Sequence, residues 1–488
     1  MHFGKLKDYI NGQWVSHTDA EYLKVYNPST GEEICEVPIT PTNQVEAAIS
    51  AAEEAFKTWK NVSMEKRVKY LFDLRDALVQ RHEELAQSIA IDQAKHISDA
   101  RAEVNRAIQI TETACGIPLM MTGNKFAINE DVDGEVIRES IGVVGALAPF
   151  NFPALVFGWF IPYAIGCGNT IVYKASEQSP LFMQKIMEIF EEIKLPKGVV
   201  NLVNGTKPVV EAMLNSPIIK AMAFVGSTPV GRIVAEGSAQ TGKRSQVLAG
   251  AKNTLIVAED ANMDGFIQNY INSAYGAAGQ RCMAGSIVAA VEDVYDEVKE
   301  RMIKASKEVK IGDARDEDVF LGPVISQKSV DRCHYYIDLA LKEGANLALD
   351  GRNPTLPEKN KNGYFVGPTI VSEVTPDMKI AVDEIFGPVV SLMKFKNVDE
   401  ALEFFNNSDF GNGGSIFTES GLYAHKFLRE ANSGMIGVNV GVPASMPYLP
   451  FGGTRSSLFG SQIKAQGQDA VDFFTKRKAC TVRFYGKN

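Results

Sequence analysis

Between Ser140 and Tyr173 the chain carries no Asp, Glu, Lys or Arg. A run of that length has two physical homes: the interior of a bilayer, or the interior of a large protein core. Its punctuation decides between them. Pro149, Asn151, Pro153, Pro162 and several glycines interrupt it, which argues against one continuous membrane helix. It reads instead as a buried strand (GVVGAL), a proline-bracketed loop, a helix and a second buried strand (NTIVYK). Strand and helix segments that are apolar on every side belong to a parallel sheet covered on both faces, so the fold class is α/β.

The alternation continues on both sides of this run. A helical region follows Pro41, where Ala48, Ala51, Ala52 and Phe56 recur at helical spacing, and helices are expected over Met64 to Ile89 and Asp99 to Cys115. NEDVDGEVIRES, just before the uncharged run, is polar and predicts an extended excursion. LPKGVVNLVNG (195–205) and IIKAMAFVGSTPVG (218–231) repeat the strand, glycine and helix scheme. A second α/β unit begins near QVLAGAKNTLIVAED (246–260) and runs through strand-rich stretches at 363–371, 383–395, 410–418 and 434–441. The tail, 472–487, alternates apolar and basic residues and predicts an edge strand, paired within or between subunits. A length of 488 residues suits two or three domains.

Composition narrows the function classes. With 45% hydrophobic and 22% charged residues the chain has the profile of a soluble globular protein. A net charge of −9, without any long basic block, argues against a nucleic-acid partner. Six scattered cysteines with no CxxC suit a reducing compartment, so a cytoplasmic protein without a secretory leader is expected. The six histidines show no ligand spacing, so no metal is expected. GSAQTGKR (237–244) mimics a phosphate-binding loop, but Arg244 stands where the magnesium-binding Ser or Thr is needed, and the run follows a helix pattern.

The chemistry points to GAAGQRCMAG (276–285). Cys282 sits among small residues next to Arg281, whose charge would favour the thiolate and make it a candidate nucleophile. A buried cysteine in a tight turn is the competing reading. Asn151, in the proline-bracketed loop, could donate its amide to a developing oxyanion or could simply cap the loop. Lys174, Ser176 and Glu177 follow a buried strand, where ligands of parallel sheets are met; Lys174 and Glu177 could bind ribose hydroxyls or form a surface pair. Gly226 and Ser227 stand between a strand and a helix and could offer backbone amides to a pyrophosphate.

Taken together, APFNFP, YKASE, FVGSTPVG, GAKN, GQRC and EIFGP, in this order and spacing, resemble the aldehyde dehydrogenase superfamily over nearly the whole chain. The resemblance implies a Rossmann-type NAD-binding domain (1–125 and 146–250), an α/β catalytic domain (251–450) and a small β extension for oligomerisation (126–145 and 465–488), with a homotetramer or homodimer expected. It implies Cys282 as nucleophile, Asn151 as oxyanion donor, and Phe150, Lys174, Ser176, Glu177, Gly226, Ser227, Glu384 and Phe386 as cofactor contacts. NAD is expected over NADP, because Glu177 would repel a 2′-phosphate.

One position departs from the hydrolytic members. They carry a glutamate where LAGAKN has Leu248, and leucine cannot activate water. The sequence is therefore similar to the CoA-acylating, methylmalonate-semialdehyde branch of the family. That branch implies CoA as co-substrate and two arginines for the substrate carboxylate, matching Arg106 and Arg281 here. The expected reaction converts methylmalonate or malonate semialdehyde to propionyl-CoA or acetyl-CoA with loss of CO2. SSLFGS (456–461) only approximates the branch's tail motif. The competing expectations are a non-acylating aldehyde dehydrogenase that makes a free acid, and a cofactor-binding structural protein without turnover.

Overall fold

The computed structural model describes residues 2–444 and 446–485. Two large sheets organise it. In spatial order the first consists of Gln13–Val15, Asp8–Ile10, Val200–Val203, Thr170–Lys174, Val143–Leu147, Ile219–Val225, Arg244–Leu248 and Leu458–Gly460. Its five central strands, from Val200–Val203 to Arg244–Leu248, are parallel. Strand order reverses between Val143–Leu147 and Ile219–Val225, so a crevice opens beyond their carboxyl ends. The second sheet has seven strands. At its centre Asn253–Val257 and Gly285–Val291 pair in parallel.

The uncharged run folds as its punctuation dictates. Val143–Leu147 and Thr170–Lys174 are neighbouring parallel strands, buried throughout, joined by the helix Pro153–Gly166. That helix buries Phe157, Trp159, Phe160 and Tyr163 in the core of the first sheet. Each such side chain contributes about 1.5–3 kcal/mol by leaving water, which explains why no charge is tolerated here. No helix among the described residues is long and apolar enough to cross a membrane.

Several expected boundaries shift. The 64–89 region is two helices, Met64–Gln80 and His82–Asp92, separated at Arg81. Residues 383–388 are not strand; they form the loop carrying Glu384 and Phe386 ahead of Val389–Phe395. The Val143–Leu147 strand crosses the expected 145/146 domain boundary and belongs wholly to the first sheet.

The β extension is a three-stranded antiparallel sheet of Asn124–Asn129, Val132–Ser140 and Thr475–Arg483. The tail thus pairs within its own chain, with Arg477 opposite Arg138; the expected residues 486–488 lie outside the described ones. Helix Gly467–Phe474 leads into it and packs on Pro153–Gly166 rather than joining the extension. Arg244 of the phosphate-loop mimic has a structural task. Its guanidinium donates to the carbonyls of Asp472, Phe473 and Thr475 at 3.0, 2.6 and 2.7 Å, tying the tail to the first sheet.

Candidate active site

A cavity of 810 Å³ lies at the reversal point of the first sheet. The chain leaving Val143–Leu147 supplies Phe150 and Asn151, and the chain leaving Thr170–Lys174 supplies Lys174, Ser176 and Glu177. Gly226 and Ser227 come from the end of Ile219–Val225. The second sheet contributes Cys282, just ahead of Gly285–Val291, and the loop with Glu384 and Phe386. Ten of the residues singled out in the sequence therefore share one cavity, brought together from five separate segments. The Phe150 and Phe386 rings meet edge to face at 5.9 Å within it.

Cys282 is held at its backbone. Its carbonyl accepts the side-chain amides of Asn253 at 2.9 Å and Asn412 at 2.7 Å. Its setting does not make it a ready thiolate. Burial, then the nearby Glu384 carboxylate, pushes the thiol up to about 12, while Arg281 and Lys95 pull weakly the other way. Arg281 thus acts in the expected direction, but burial and Glu384 outweigh it. Its guanidinium donates to Asp99 at 2.7 Å and to the Asn272 carbonyl at 3.3 Å, so much of its charge is already neutralised.

Asn151 is buried, at 5% exposure. Its amide donates to the carbonyl of Gln280 at 2.9 Å, two residues before the thiol. An amide nitrogen has two hydrogens, so this bond orients the group and leaves a second donor for a ligand oxygen. The Asn151 carbonyl accepts from Lys95 at 2.7 Å, and Lys95 is ion-paired with Glu103 in full burial. Lys174 and Glu177 pair with each other at 2.8 Å, with Lys174 buried rather than at the surface, and both line the cavity.

Glu384 accepts the Ala251 N–H at 2.9 Å, and burial pushes its carboxyl up to about 7. Beside it burial pushes the Lys252 ammonium down to about 8. Leu248 is 5% exposed at the end of Arg244–Leu248, where its carbonyl accepts from Gly226 at 3.1 Å.

The two arginines expected to bind a substrate carboxylate do not line this cavity. Arg281 lies on Asp99, and Arg106 sits seven residues further along the same helix, Ile97–Cys115, about 10 Å along its axis. Arg106 touches the Met446 sulfur at 4.0 Å and has no carboxylate partner among the described residues.

Other lining residues went unnoticed in the sequence. Lys328, Arg332 and Tyr336 recur every fourth position of Gln327–Lys342 and so share a face. Arg332 donates to the backbone carbonyls of Glu384 and Ile385, and the Tyr336 hydroxyl donates to Asp383 at 2.8 Å, which together anchor the Glu384 loop. The spacing was the available signal; the destination of that face was not.

The turn before Cys282 is strained. Ala277 and Ala278 hold φ of 50° and 53°, followed by Gly279 at 68°. Left-handed backbone costs a residue with a Cβ about 1–2 kcal/mol. A Cβ at Gly276 would lie 2.5 Å from the Arg281 guanidinium carbon, so a larger residue there would displace the end of that side chain.

The site residues fit a dinucleotide. The 13-residue helix Thr228–Gln240 points its amino terminus at the cavity, and no side chain caps it, so its backbone N–H groups suit a pyrophosphate. Lys174 and Glu177 add hydrogen-bonding groups suited to ribose hydroxyls.

Comparison with known proteins agrees with this architecture. The aldehyde dehydrogenase family model matches residues 14–480. A malonate-semialdehyde dehydrogenase of Listeria monocytogenes is 45% identical over 481 residues, covering 98% of each chain. The crystal structure of a methylmalonate-semialdehyde dehydrogenase from Oceanimonas doudoroffii superposes with a TM-score of 0.97 at 37% identity, covering 99% of each chain. A Sinorhizobium meliloti crystal structure in complex with NAD gives 0.97 at 34% identity, covering 100% of this chain and 99% of that one. With the family's motifs gathered around one cavity and its fold reproduced from end to end, this chain belongs to the aldehyde dehydrogenase family and is an enzyme of it.

Proposed function

We propose that the protein is an NAD-dependent, CoA-acylating dehydrogenase of malonate or methylmalonate semialdehyde. One observation carries the acylating reading: apolar Leu248 occupies the family's water-activating position, while Cys282 and Asn151 remain together on the cavity. The relatives named for malonate and methylmalonate semialdehyde support the substrate class.

The mechanism begins at Cys282, whose sulfur adds to the aldehyde carbonyl. Asn151 and the Cys282 backbone N–H donate to the oxygen that becomes negative, the role of an oxyanion hole. NAD would be held by Lys174, Ser176, Glu177, Gly226 and Ser227 and would supply the hydride acceptor through which the thiohemiacetal on Cys282 becomes a thioester. Leu248 provides no base to activate water at the thioester. The thiol of CoA then attacks, releasing Cys282 and forming the acyl-CoA. A thiol does without the base that water requires, because its ordinary pKa leaves some thiolate at neutral pH. The carboxylate leaves as CO2, its electrons flowing toward the neighbouring carbonyl. Arg106, without a carboxylate partner, is suited to recognise that group, and Arg281 is shared with Asp99.

A second reading stays in view because of Glu384. Its carboxyl, pushed up to about 7 on the same cavity, has the proton affinity of a general base, which would permit hydrolysis to a free acid. Turnover without CoA separates the two. Mixing enzyme, NAD and malonate semialdehyde should give one NADH per active site and then a slow phase. Adding CoA should restore turnover and yield acetyl-CoA. Rapid steady turnover to a free acid, unaffected by CoA, would refute the acylating reading.

The scattered cysteines support a cytoplasmic setting. The β extension supports a homotetramer or homodimer. It leaves Phe126 and Ile128 exposed on Asn124–Asn129, a strand paired on one side only.

A further inference from the structure

The helix Ile97–Cys115 turns two carboxylates, Asp99 and Glu103, toward the catalytic segments. They stand one turn apart on one face. Glu103 accepts the N–H groups of Ala154 and Leu155 at 2.8 and 3.1 Å, and pairs with Lys95, which holds the Asn151 carbonyl. Asp99 does the corresponding work on the other segment. Its Oδ2 accepts the Arg281 guanidinium at 2.7 Å and the Ala277 N–H at 3.2 Å. Both partners belong to the left-handed turn that ends at Cys282. One buried helix thus reaches the oxyanion donor with one side chain and the nucleophile turn with the other.

We propose that Asp99 is a positioning residue for Cys282. Its carboxylate clamps the strained Ala277–Gly279 turn from both ends, and it sets how much of the Arg281 charge reaches the thiol or a substrate carboxylate. Asp99 itself carries its charge readily. Burial opposes ionisation, but Arg281 and Lys95 outweigh it and hold the carboxyl below its usual range. The charged groups acting on the thiol are Glu384, Arg281 and Lys95. Removing the Asp99 anion leaves Arg281 less neutralised and tips that balance toward the thiolate.

The inference rests on the reading of Cys282 as nucleophile, so the test carries its own control. Cys282 alkylation by iodoacetamide is followed against pH in cofactor-free enzyme, alongside kcat with propanal and NAD and a thermal melt. D99N keeps an oxygen for the Ala277 N–H but loses the charge. Its alkylation profile should move to lower pH, with kcat within about threefold of wild type. D99A loses both contacts, and its kcat should fall at least about tenfold with little change in the KM for NAD. A wild-type alkylation profile in D99N overturns the proposal, as does D99A with unchanged kcat. Activity lost only in proportion to unfolded protein, with wild-type reactivity of the remaining thiol, marks Asp99 as merely structural and also overturns it. Where D99A is too unstable to purify, the D99N profile decides alone. Turnover retained in C282A would instead break the functional reading, independently of how the Asp99 variants behave.

Discussion

Glu384 and Arg106 carry distinct, measurable roles. Glu384 opposes ionisation of Cys282, so the sign of its removal is fixed: E384Q lowers the thiol pKa and speeds alkylation at neutral pH. One pKa unit corresponds to about a tenfold rate difference. The pH dependence adds a second signature. As pH rises through about 7 the Glu384 carboxyl ionises and holds the thiol protonated more strongly. Wild-type alkylation should therefore rise less than tenfold per pH unit between pH 6 and 8, and E384Q should rise the full tenfold. Identical slopes would mean the two groups are uncoupled. Arg106 makes a different kind of prediction. Its guanidinium lacks a carboxylate partner among the described residues, so it is open to a substrate carboxylate. R106A should raise the KM for malonate semialdehyde by roughly thirtyfold, about 2 kcal/mol of a charged contact, and leave propanal nearly unchanged. Equal losses on both substrates would make Arg106 structural.

At the scale of single elements, the strand Arg244–Leu248 ends at the residue on which the acylating proposal rests. Leu248 is packed against the first core, pairing with Val225 on one side and Leu458 on the other. In L248E a carboxylate enters an apolar site, so the melting temperature falls, and its own pKa rises with burial. If it reaches the thioester, general-base assistance should accelerate the CoA-independent slow phase by about 10²-fold, read as free acid. A folded L248E with an unchanged slow phase would show that this strand end does not govern deacylation. The same strand illustrates how far local pattern reaches. Local pattern put QVLAG at the start of a second α/β unit, whereas Arg244–Leu248 belongs to the first sheet, and the departure at 248 came from the family resemblance. The pattern was silent on Arg244, because its three carbonyl partners lie more than two hundred residues away in the chain.

For the whole molecule, the β extension carries the prediction. Phe126 and Ile128 are 54% and 58% exposed on an edge strand whose outer side has no strand beside it. If this edge meets another copy, F126D/I128D should dissociate the assembly, measured by light scattering after size exclusion. An unchanged oligomeric mass would clear that edge of the role. At the same scale the division between sequence and fold is plain. The uncharged run from Ser140 to Tyr173 by itself determined a buried strand, helix and strand, since no other arrangement shelters so much apolar chain around those prolines. The ordered motifs likewise determined the family, and Cys282, Asn151 and the residues expected to meet a cofactor share one cavity. The tertiary structure alone decided the charge environment. Arg281 is next to Cys282 in sequence, yet its guanidinium is taken up by Asp99, while Glu384, about a hundred residues on, acts on the sulfur directly. Adjacency along the chain fixes where a backbone goes, but electrostatic energy falls with distance through space, and only folding sets those distances.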